Sequence, residues 1–255
     1  MTQPNALTGL LAALFGVAVG SSARADTPAF DRPGIAFATA VLPVGTIALE
    51  QGFLDFAYQR GGGASSTEYT ADTNFRLGVA AGVEVQLATA LWNRLTDRSA
   101  GTTRTENGRG DTRLSVKLAL PTARDGFSWA VLTSATLATG DGAFTADTTQ
   151  YDLGVALAQD FGGASGGLYL NATHADGDTS IAFSPSCSVA LSDRVTTYAE
   201  AGYFTSASAP DEAVAGGGIT WMVTPAVQLD ASASFGLNSA SADVAGGVGF
   251  SIYFE

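Results

Sequence analysis

The chain has 255 residues, a formal net charge of −12 and only 14% charged residues, against about 25% in a typical soluble domain. The acidic balance excludes ordinary nucleic-acid binding, which needs a basic surface over the phosphates. After Ala25 no uncharged apolar run reaches the roughly 18 residues of a membrane-spanning helix. The lack of such a run argues against a helical membrane protein. The low content of charged residues indicates that much of the surface faces something other than water.

The amino terminus has the organisation of a secretory signal peptide. An apolar stretch from Ala6 to Val19 precedes Ala23-Arg24-Ala25, a small-x-small cleavage pattern. An uncleaved anchor is the alternative, but the apolar core is short for a bilayer span. We predict a signal peptide at residues 1–25.

From Thr46 onward, segments of about ten residues alternate between apolar and polar side chains, and Gly, Asp, Ser, Pro or Asn clusters separate them. In the segment from Val227 to Leu237, for example, Leu229 and Phe235 share one face while Gln228 and Asp230 take the other. The pattern predicts twelve strands, at residues 46–58, 67–79, 83–93, 110–120, 127–138, 149–159, 167–174, 179–191, 194–204, 212–222, 227–237 and 242–254.

The connections alternate between tight turns and longer loops, of which residues 94–109 form the longest. Short periplasmic turns, longer external loops and an even strand number are typical of a bacterial outer-membrane barrel. A soluble β-sandwich shows the same residue alternation but gives no reason for this asymmetry. We therefore predict an all-β fold, a transmembrane antiparallel up-and-down β-barrel of about twelve strands in the outer membrane of a Gram-negative bacterium. The predicted barrel comprises residues 46–255, and a periplasmic N-terminal segment at 26–45 precedes it.

Charged residues in the strands share one face, which must be the inner face because a charge in lipid is costly. The predicted pore-lining residues are Glu50, Asp72, Arg76, Glu84, Asp111, Arg113, Lys117, Asp152, Glu200 and Asp230. Two interpretations stay open: ion pairs that fill a narrow barrel, or a charged constriction in a water-filled pore that disfavours anions.

Aromatic residues on the apolar face fall near the two ends of the strands, as in the interfacial girdles of membrane barrels. This predicted aromatic girdle consists of Tyr69, Trp129, Tyr151, Tyr203, Trp221, Phe250 and Phe254. Trp92 is an exception, because its parity points it inward. A change of parity near Gly52 indicates a β-bulge, and Pro185 conflicts with a closed sheet, which has no edge for a residue without an N–H.

Catalytic or metal-binding chemistry has little support in the sequence. His174 is the only histidine, and no serine has the setting of a hydrolase nucleophile. Loop aspartates such as Asp176 and Asp211 lack the dense spacing of a dedicated calcium loop. We expect no enzymatic activity, no cofactor and no metal.

Several segments resemble the outer-membrane barrels of the MetA-pathway-of-phenol-degradation family, often described as transporters. The matching stretches are VGTIALEQG (44–52), FRLGVAAGVEVQLA (75–88), GRGDTRLSVKLAL (108–120), VQLDASASFGLN (227–238) and AGGVGFSIYF (245–254). The resemblance implies passage of small, aromatic or otherwise hydrophobic compounds across the outer membrane. Glu255 departs from the aromatic residue that usually closes such barrels, so assembly efficiency is in question.

The predicted function is an outer-membrane channel for passive or facilitated diffusion of small compounds. The alternatives are a structural or adhesive barrel without transport and, last, a soluble secreted β-domain. The predicted partners are outer-membrane lipid, a small-molecule solute and the barrel-assembly machinery, which would read the C-terminal strand.

Overall fold

The computed structural model describes residues 28–255, so the predicted signal peptide lies outside the described residues. Residues 47–254 form fourteen strand segments, and the only helix among the described residues is the 3-10 turn Gly142–Phe144. The segments are β1 (Ile47–Gly52), β2 (Asp55–Gly61), β3 (Ala64–Ala80), β4 (Val83–Ser99), β5 (Thr102–Gly108), β6 (Thr112–Leu120), β7 (Phe127–Leu137), β8 (Gln150–Asp160), β9 (Ala164–Ala175), β10 (Asp178–Ala190), β11 (Val195–Ser206), β12 (Glu212–Thr224), β13 (Val227–Gly236) and β14 (Val244–Phe254).

The fourteen segments form a closed barrel of twelve antiparallel strands, as predicted. β1 and β2 both pair with β3 and with β14, so they are two parts of one strand. β5 and β6 both pair with β4 and form a second interrupted strand. The pairing of Ile47 with Phe254 through Gly52 with Gly249 joins the first strand to the last. Closure leaves no free edge in the membrane-spanning part of the sheet.

The predicted bulge lies between β1 and β2. Gly52 pairs with Gly249, whereas Phe56 pairs with Gly246, so the register shifts by one residue across the break. The shift turns both Glu50 and Asp55 toward the lumen, where their side chains are buried.

Trp92 does not point inward, and that prediction was wrong. The register between β3 and β4 shifts so that Asp72 pairs with Ala90 and Ala71 with Trp92. Leu91 is therefore an extra residue, and the bulge turns Trp92 onto the outer face, where it is 40% exposed.

Pro185 fits the closed sheet because the pairing between β10 and β11 is interrupted beside it. β10 pairs with β11 through Phe183 and Tyr203 and again through Ser186 and Glu200, without pairs at Ser184 and Pro185. The conflict expected from sequence is thus absorbed by a local gap in hydrogen bonding.

The connection predicted as a loop over residues 94–109 is mostly strand. β4 continues to Ser99, β5 begins at Thr102, and Ala100 and Gly101 form the turn at positive φ. β2 and β3 likewise extend to a tight turn at Gly62 and Gly63. Both hairpins rise beyond the predicted membrane segments.

The N-terminal segment lies within the barrel, which differs from the predicted periplasmic position. Phe30, Asp31 and Leu42 are almost fully buried, and their partners are inward residues of β1, β3, β4 and β6. A Cβ on Gly78 would overlap the carbonyl groups of Leu42 and Pro43, so this glycine lets the chain cross the barrel rim. The sequence pattern gave no signal for this position because the segment has no strand periodicity.

Across residues 28–255, no helix has both the length and the apolarity that a membrane span requires.

We predict that Leu87→Arg destabilises the inserted barrel by roughly 2–4 kcal/mol, because Leu87 faces outward near mid-strand. Ser232→Arg is the control, since Ser232 lines an open part of the lumen that can hold a long side chain. Denaturant titration of vesicle-inserted protein, followed by heat-modifiable gel mobility, measures both. Equal destabilisation by the two variants would contradict the assignment of faces.

Candidate functional site in the barrel lumen

The lumen segment, which we define as residues 28–42, folds into a loop inside the barrel. The backbone N–H of Ala38 donates to Oδ1 of Asp31 at 3.1 Å and ties the two sides of the loop together. Residues between them, including Pro33 and Gly34, form the tip and face an open space further up the barrel.

Five charged side chains form a cluster, here called the charge cluster: Asp31, Glu50, Arg76, Glu84 and Lys117. All five are buried. Arg76 donates through Nε and Nη2 to the two carboxylate oxygens of Glu84 at 2.7 and 2.9 Å, and through Nη1 to Glu50 at 2.6 Å. Lys117 Nζ lies 2.8 Å from Asp31 and 3.4 Å from Glu84. Three carboxylates thus surround two cations, so each charge has a partner of opposite sign.

The charge cluster also holds the backbone of the lumen segment. Glu50 accepts the N–H of Asp31 at 2.8 Å, and Glu84 accepts the N–H of Leu42 at 2.8 Å. Arg76 donates to the carbonyl oxygen of Ala29 at 2.9 Å. Wall side chains therefore satisfy backbone groups of a segment that has no regular secondary structure and would otherwise leave them unpaired.

Arg32 anchors the upper part of the loop to the barrel wall. Its guanidinium lies 3.1 Å from Asp55 and 3.3 Å from Asp230. Burial opposes the charged form, but the carboxylates of Asp230 and Asp55 outweigh it and raise the pKa of Arg32 above its ordinary value. A Cβ on Gly249 would overlap the guanidinium, so the absence of a side chain there makes room for Arg32.

Apolar contacts complete the fit of the lumen segment. Phe30 and Leu42 pack with Ala48, and Phe37 and Ala38 pack with small residues of β7 and β8. Ile35 packs in a third cluster with Ala182, Phe204 and Val214. The alanines on the inner wall leave the space that these larger side chains occupy.

Above the tip of the segment lies a vestibule with a cavity volume of about 100 Å³. Its wall includes small residues of β12, β13 and β14 together with Asp55, Glu68 and Glu200. Arg32 is the only basic residue in this lining. The N–H of Ile35 donates to Glu200 at 2.9 Å, so one of these acids also positions the tip. The vestibule is acidic and partly apolar.

Of the ten residues predicted to line a pore, six hydrogen-bond or ion-pair with the lumen segment: Glu50, Arg76, Glu84, Lys117, Glu200 and Asp230. Asp152 instead accepts hydrogen bonds from Ser134 and Thr173 on the neighbouring strands. Asp72 and Arg113 interact electrostatically with each other.

Asp111 contacts a loop of the barrel instead of the lumen segment. It lies in the break between β5 and β6 and accepts the N–H groups of Thr139, Gly140 and Ala146 at 2.8–2.9 Å. Its carboxylate therefore orders the connection between β7 and β8. Asp31, Arg32 and Asp55 were missed by the sequence reasoning, because the first two precede the strands and the third follows the bulge.

The residues of the predicted aromatic girdle have their side chains on the outer face or at its ends. Tyr69, Tyr151, Tyr203, Trp221 and Phe254 are exposed. Trp129 donates to the carbonyl oxygen of Pro121 at 3.3 Å, and Phe250 packs against Phe53 with ring centroids 5.1 Å apart. That these rings mark membrane interfaces stays a prediction.

His174 lies on the exposed surface, where its Nδ1 is 3.0 Å from the hydroxyl of Thr179. Residues 28–255 contain no group of three or more His, Cys, Asp or Glu side chains arranged to hold a metal ion.

A closed twelve-strand antiparallel barrel with apolar side chains outside and charges inside defines an outer-membrane β-barrel of a Gram-negative bacterium. The family model described as Putative MetA-pathway of phenol degradation matches residues 30–254. The chain belongs to that family. No curated protein sequence matches the chain.

Solved structures with the same fold include the COG4313 outer membrane channel from Pseudomonas putida F1, with a TM-score of 0.68 and 13% identity over 85% of this chain and 98% of that one. The KdgM porin has a TM-score of 0.53 and 9% identity over 82% and 99% of the two chains. The translocator domain of the autotransporter NalP from Neisseria meningitidis has a TM-score of 0.52 and 16% identity over 84% and 90%. At these identities the likeness supports the fold alone.

Lys117→Met should destabilise the barrel by about 3–5 kcal/mol, because it leaves three buried carboxylates facing Arg76 alone. Arg194→Met removes a charge from an exposed turn and should change stability little. Unfolding in urea, followed by tryptophan fluorescence, compares the two variants. A Lys117→Met barrel as stable as the parent would mean that the charge cluster does not stabilise the fold.

Proposed function

We propose that the protein is an outer-membrane channel for diffusion of small compounds and that the lumen segment controls the path. The observation that carries the proposal is the contrast between the two parts of the lumen. The charge cluster and the lumen segment fill one part, whereas the other opens as a vestibule. Solutes would enter the vestibule, and passage would require the segment to move aside. The channel role needs no catalysis.

The nature of the contacts supports a movable segment. Hydrogen bonds, ion pairs and small apolar clusters hold it to the wall, and it adds no strand to the sheet. Its removal from the lumen would leave every strand pair of the barrel intact. Its release is costly, because it separates Asp31 from Lys117 and Arg32 from Asp55.

The vestibule lining supports small solutes with apolar parts. Ile35, Val214 and several alanines present apolar surface, while Asp55, Glu68 and Glu200 bring negative charge. This balance disfavours anions. We extend to this chain the family resemblance to barrels that pass aromatic or otherwise hydrophobic compounds, as part of the same proposal.

A disulfide that locks the lumen segment to the wall tests the control of the path. The hydroxyl oxygens of Thr39 and Ser128 lie 2.7 Å apart, so Thr39→Cys with Ser128→Cys places two sulfurs within bonding range after small adjustments. The native Cys187 is exposed and is replaced by Ser in all proteins compared. We expect oxidation to reduce solute uptake into liposomes about tenfold and reduction to restore it, because the disulfide keeps the lumen segment from moving aside. A tenfold change corresponds to about 1.4 kcal/mol of added barrier.

Single-cysteine variants at each position serve as controls and should not respond to reductant. Uptake that is equal with and without the disulfide would mean that solutes pass a fixed segment. If the parent takes up no small solute at all, the channel proposal fails and a structural or adhesive barrel takes its place.

Ion selectivity tests the acidic vestibule. Glu68→Gln removes a negative charge from its lining and should reduce the preference for cations. Asp125→Asn removes the same charge from an exposed turn at the other end of the barrel and should leave selectivity unchanged. The measurement is the reversal potential across a planar bilayer in a salt gradient. Equal reversal potentials for the parent and Glu68→Gln would place Glu68 off the conduction path.

A further inference from the structure

The two extended hairpins carry arginines on their outer face, next to the aromatic residues at that end of the barrel. Trp92, Tyr69 and Phe56 are exposed on the outer face, and Tyr69 pairs across the strands with both Phe56 and Arg94. Residues directly opposite in an antiparallel pair share a face. Arg94 therefore lies on the outer face at the height of these rings.

Further along the hairpins, Arg60 and Arg98 share that face. Arg98 pairs with Ser65, and Ser65 pairs with Arg60, so the two arginines flank one serine on three neighbouring strands. The spacing between strands puts their backbones roughly 10 Å apart. Between the hairpin tips is a groove of about 360 Å³, lined by both arginines, Ser65, Tyr58 and Thr103.

The acids nearby do not compete for these guanidinium groups. Asp97 is adjacent to Arg98, and Glu106 lies three residues after Thr103, which pairs with Arg98. Side chains alternate between the two faces of a strand, so both acids point to the face opposite the arginines. Asp243 accepts the backbone N–H of Arg60 and forms no ion pair with its side chain. None of Arg60, Arg94 and Arg98 forms an ion pair with a carboxylate of residues 28–255.

We propose that the outer-rim groove, defined by Tyr58, Arg60, Ser65, Arg98 and Thr103, binds the phosphate of a phosphorylated glycolipid of the outer leaflet. In a chain of net charge −12, outward arginines without acids make a local positive patch. Guanidinium groups and hydroxyls are the donors that phosphate oxygens accept. The patch begins beside the aromatic rings, which are predicted to lie where the polar headgroup region meets the hydrocarbon, so a lipid phosphate would reach it without leaving the membrane. Arg94, at the lower edge, lies at the level of the headgroup.

Lipid binding by the purified, folded barrel in neutral detergent tests this proposal. The probes are diphosphorylated lipid A and the same lipid after removal of its phosphates, and native mass spectrometry measures the bound fraction. The double variant Arg60→Gln with Arg98→Gln should bind diphosphorylated lipid A about tenfold more weakly, since each charge-assisted hydrogen bond is strong. Both proteins should bind the dephosphorylated lipid weakly.

Arg104→Gln is the matched control. Arg104 lies on the same hairpin, is 74% exposed at its side chain and pairs with Glu106 on the other face. It should bind diphosphorylated lipid A like the parent. Arg98→Lys keeps the charge without the planar fork and should fall between the parent and the double variant. Heat-modifiable gel mobility verifies that each barrel is folded.

Three results would overturn the proposal. The first is equal affinity of the parent for the two lipids. The second is a loss in Arg104→Gln as large as in the double variant, which would indicate net charge without a site. The third is full displacement of the lipid by inorganic phosphate at matched concentration, which would indicate a site for soluble anions.

Discussion

The fold depends on where a charged side chain can go in a membrane. A charge on the outer face would meet hydrocarbon, so the strands turn their charged residues inward. An inward charge still loses water in a barrel this narrow, and it needs a partner of opposite sign. Arg76 and Lys117 meet this need with Glu84 and Glu50 from the wall, and Asp31 of the lumen segment completes the set. The same requirement therefore shapes the wall and retains the lumen segment.

The sequence predicted the barrel well where each strand separates lipid from lumen. There the two faces of a strand have different solvents, so apolar and polar residues alternate and the strand count follows. Above the hydrocarbon both faces of a hairpin have polar surroundings, and the alternation ends although the backbone ladder continues. Residues 94–109 look like a loop for this reason, yet Asn93 through Ser99 pair with β5. The bulge at Leu91 shows a second limit, because one inserted residue reverses the face of Trp92 without any compositional signal.

The sequence predicted strand residues of the candidate site but not the charged residues of the lumen segment. Parity placed Glu84 and Lys117 on one face, and in the structure they pair directly across β4 and β6. Parity could not place Asp31 or Arg32, since a segment without regular structure takes its position from tertiary contacts alone. Arg32 and Asp55 come together only because the bulge after Gly52 turns Asp55 inward and Gly249 leaves room. Contacts of this kind join residues that are far apart in sequence, so the pattern within a single strand does not predict them.

Charge has a different task in each region of this barrel. Inside the barrel, Arg76 and Lys117 form ion pairs with buried carboxylates. Their charges are therefore neutralised within the protein and stabilise the packing of the lumen segment. Around the vestibule, acids outnumber the single Arg32, and the excess charge is directed at whatever enters from outside. On the outer rim the order is reversed, because Arg60 and Arg98 face outward while the neighbouring acids face inward. An acidic protein in a leaflet of phosphorylated lipid would otherwise be repelled by its surroundings. Separating the two signs by face lets one thin sheet carry negative charge around the vestibule and positive charge on the outer rim.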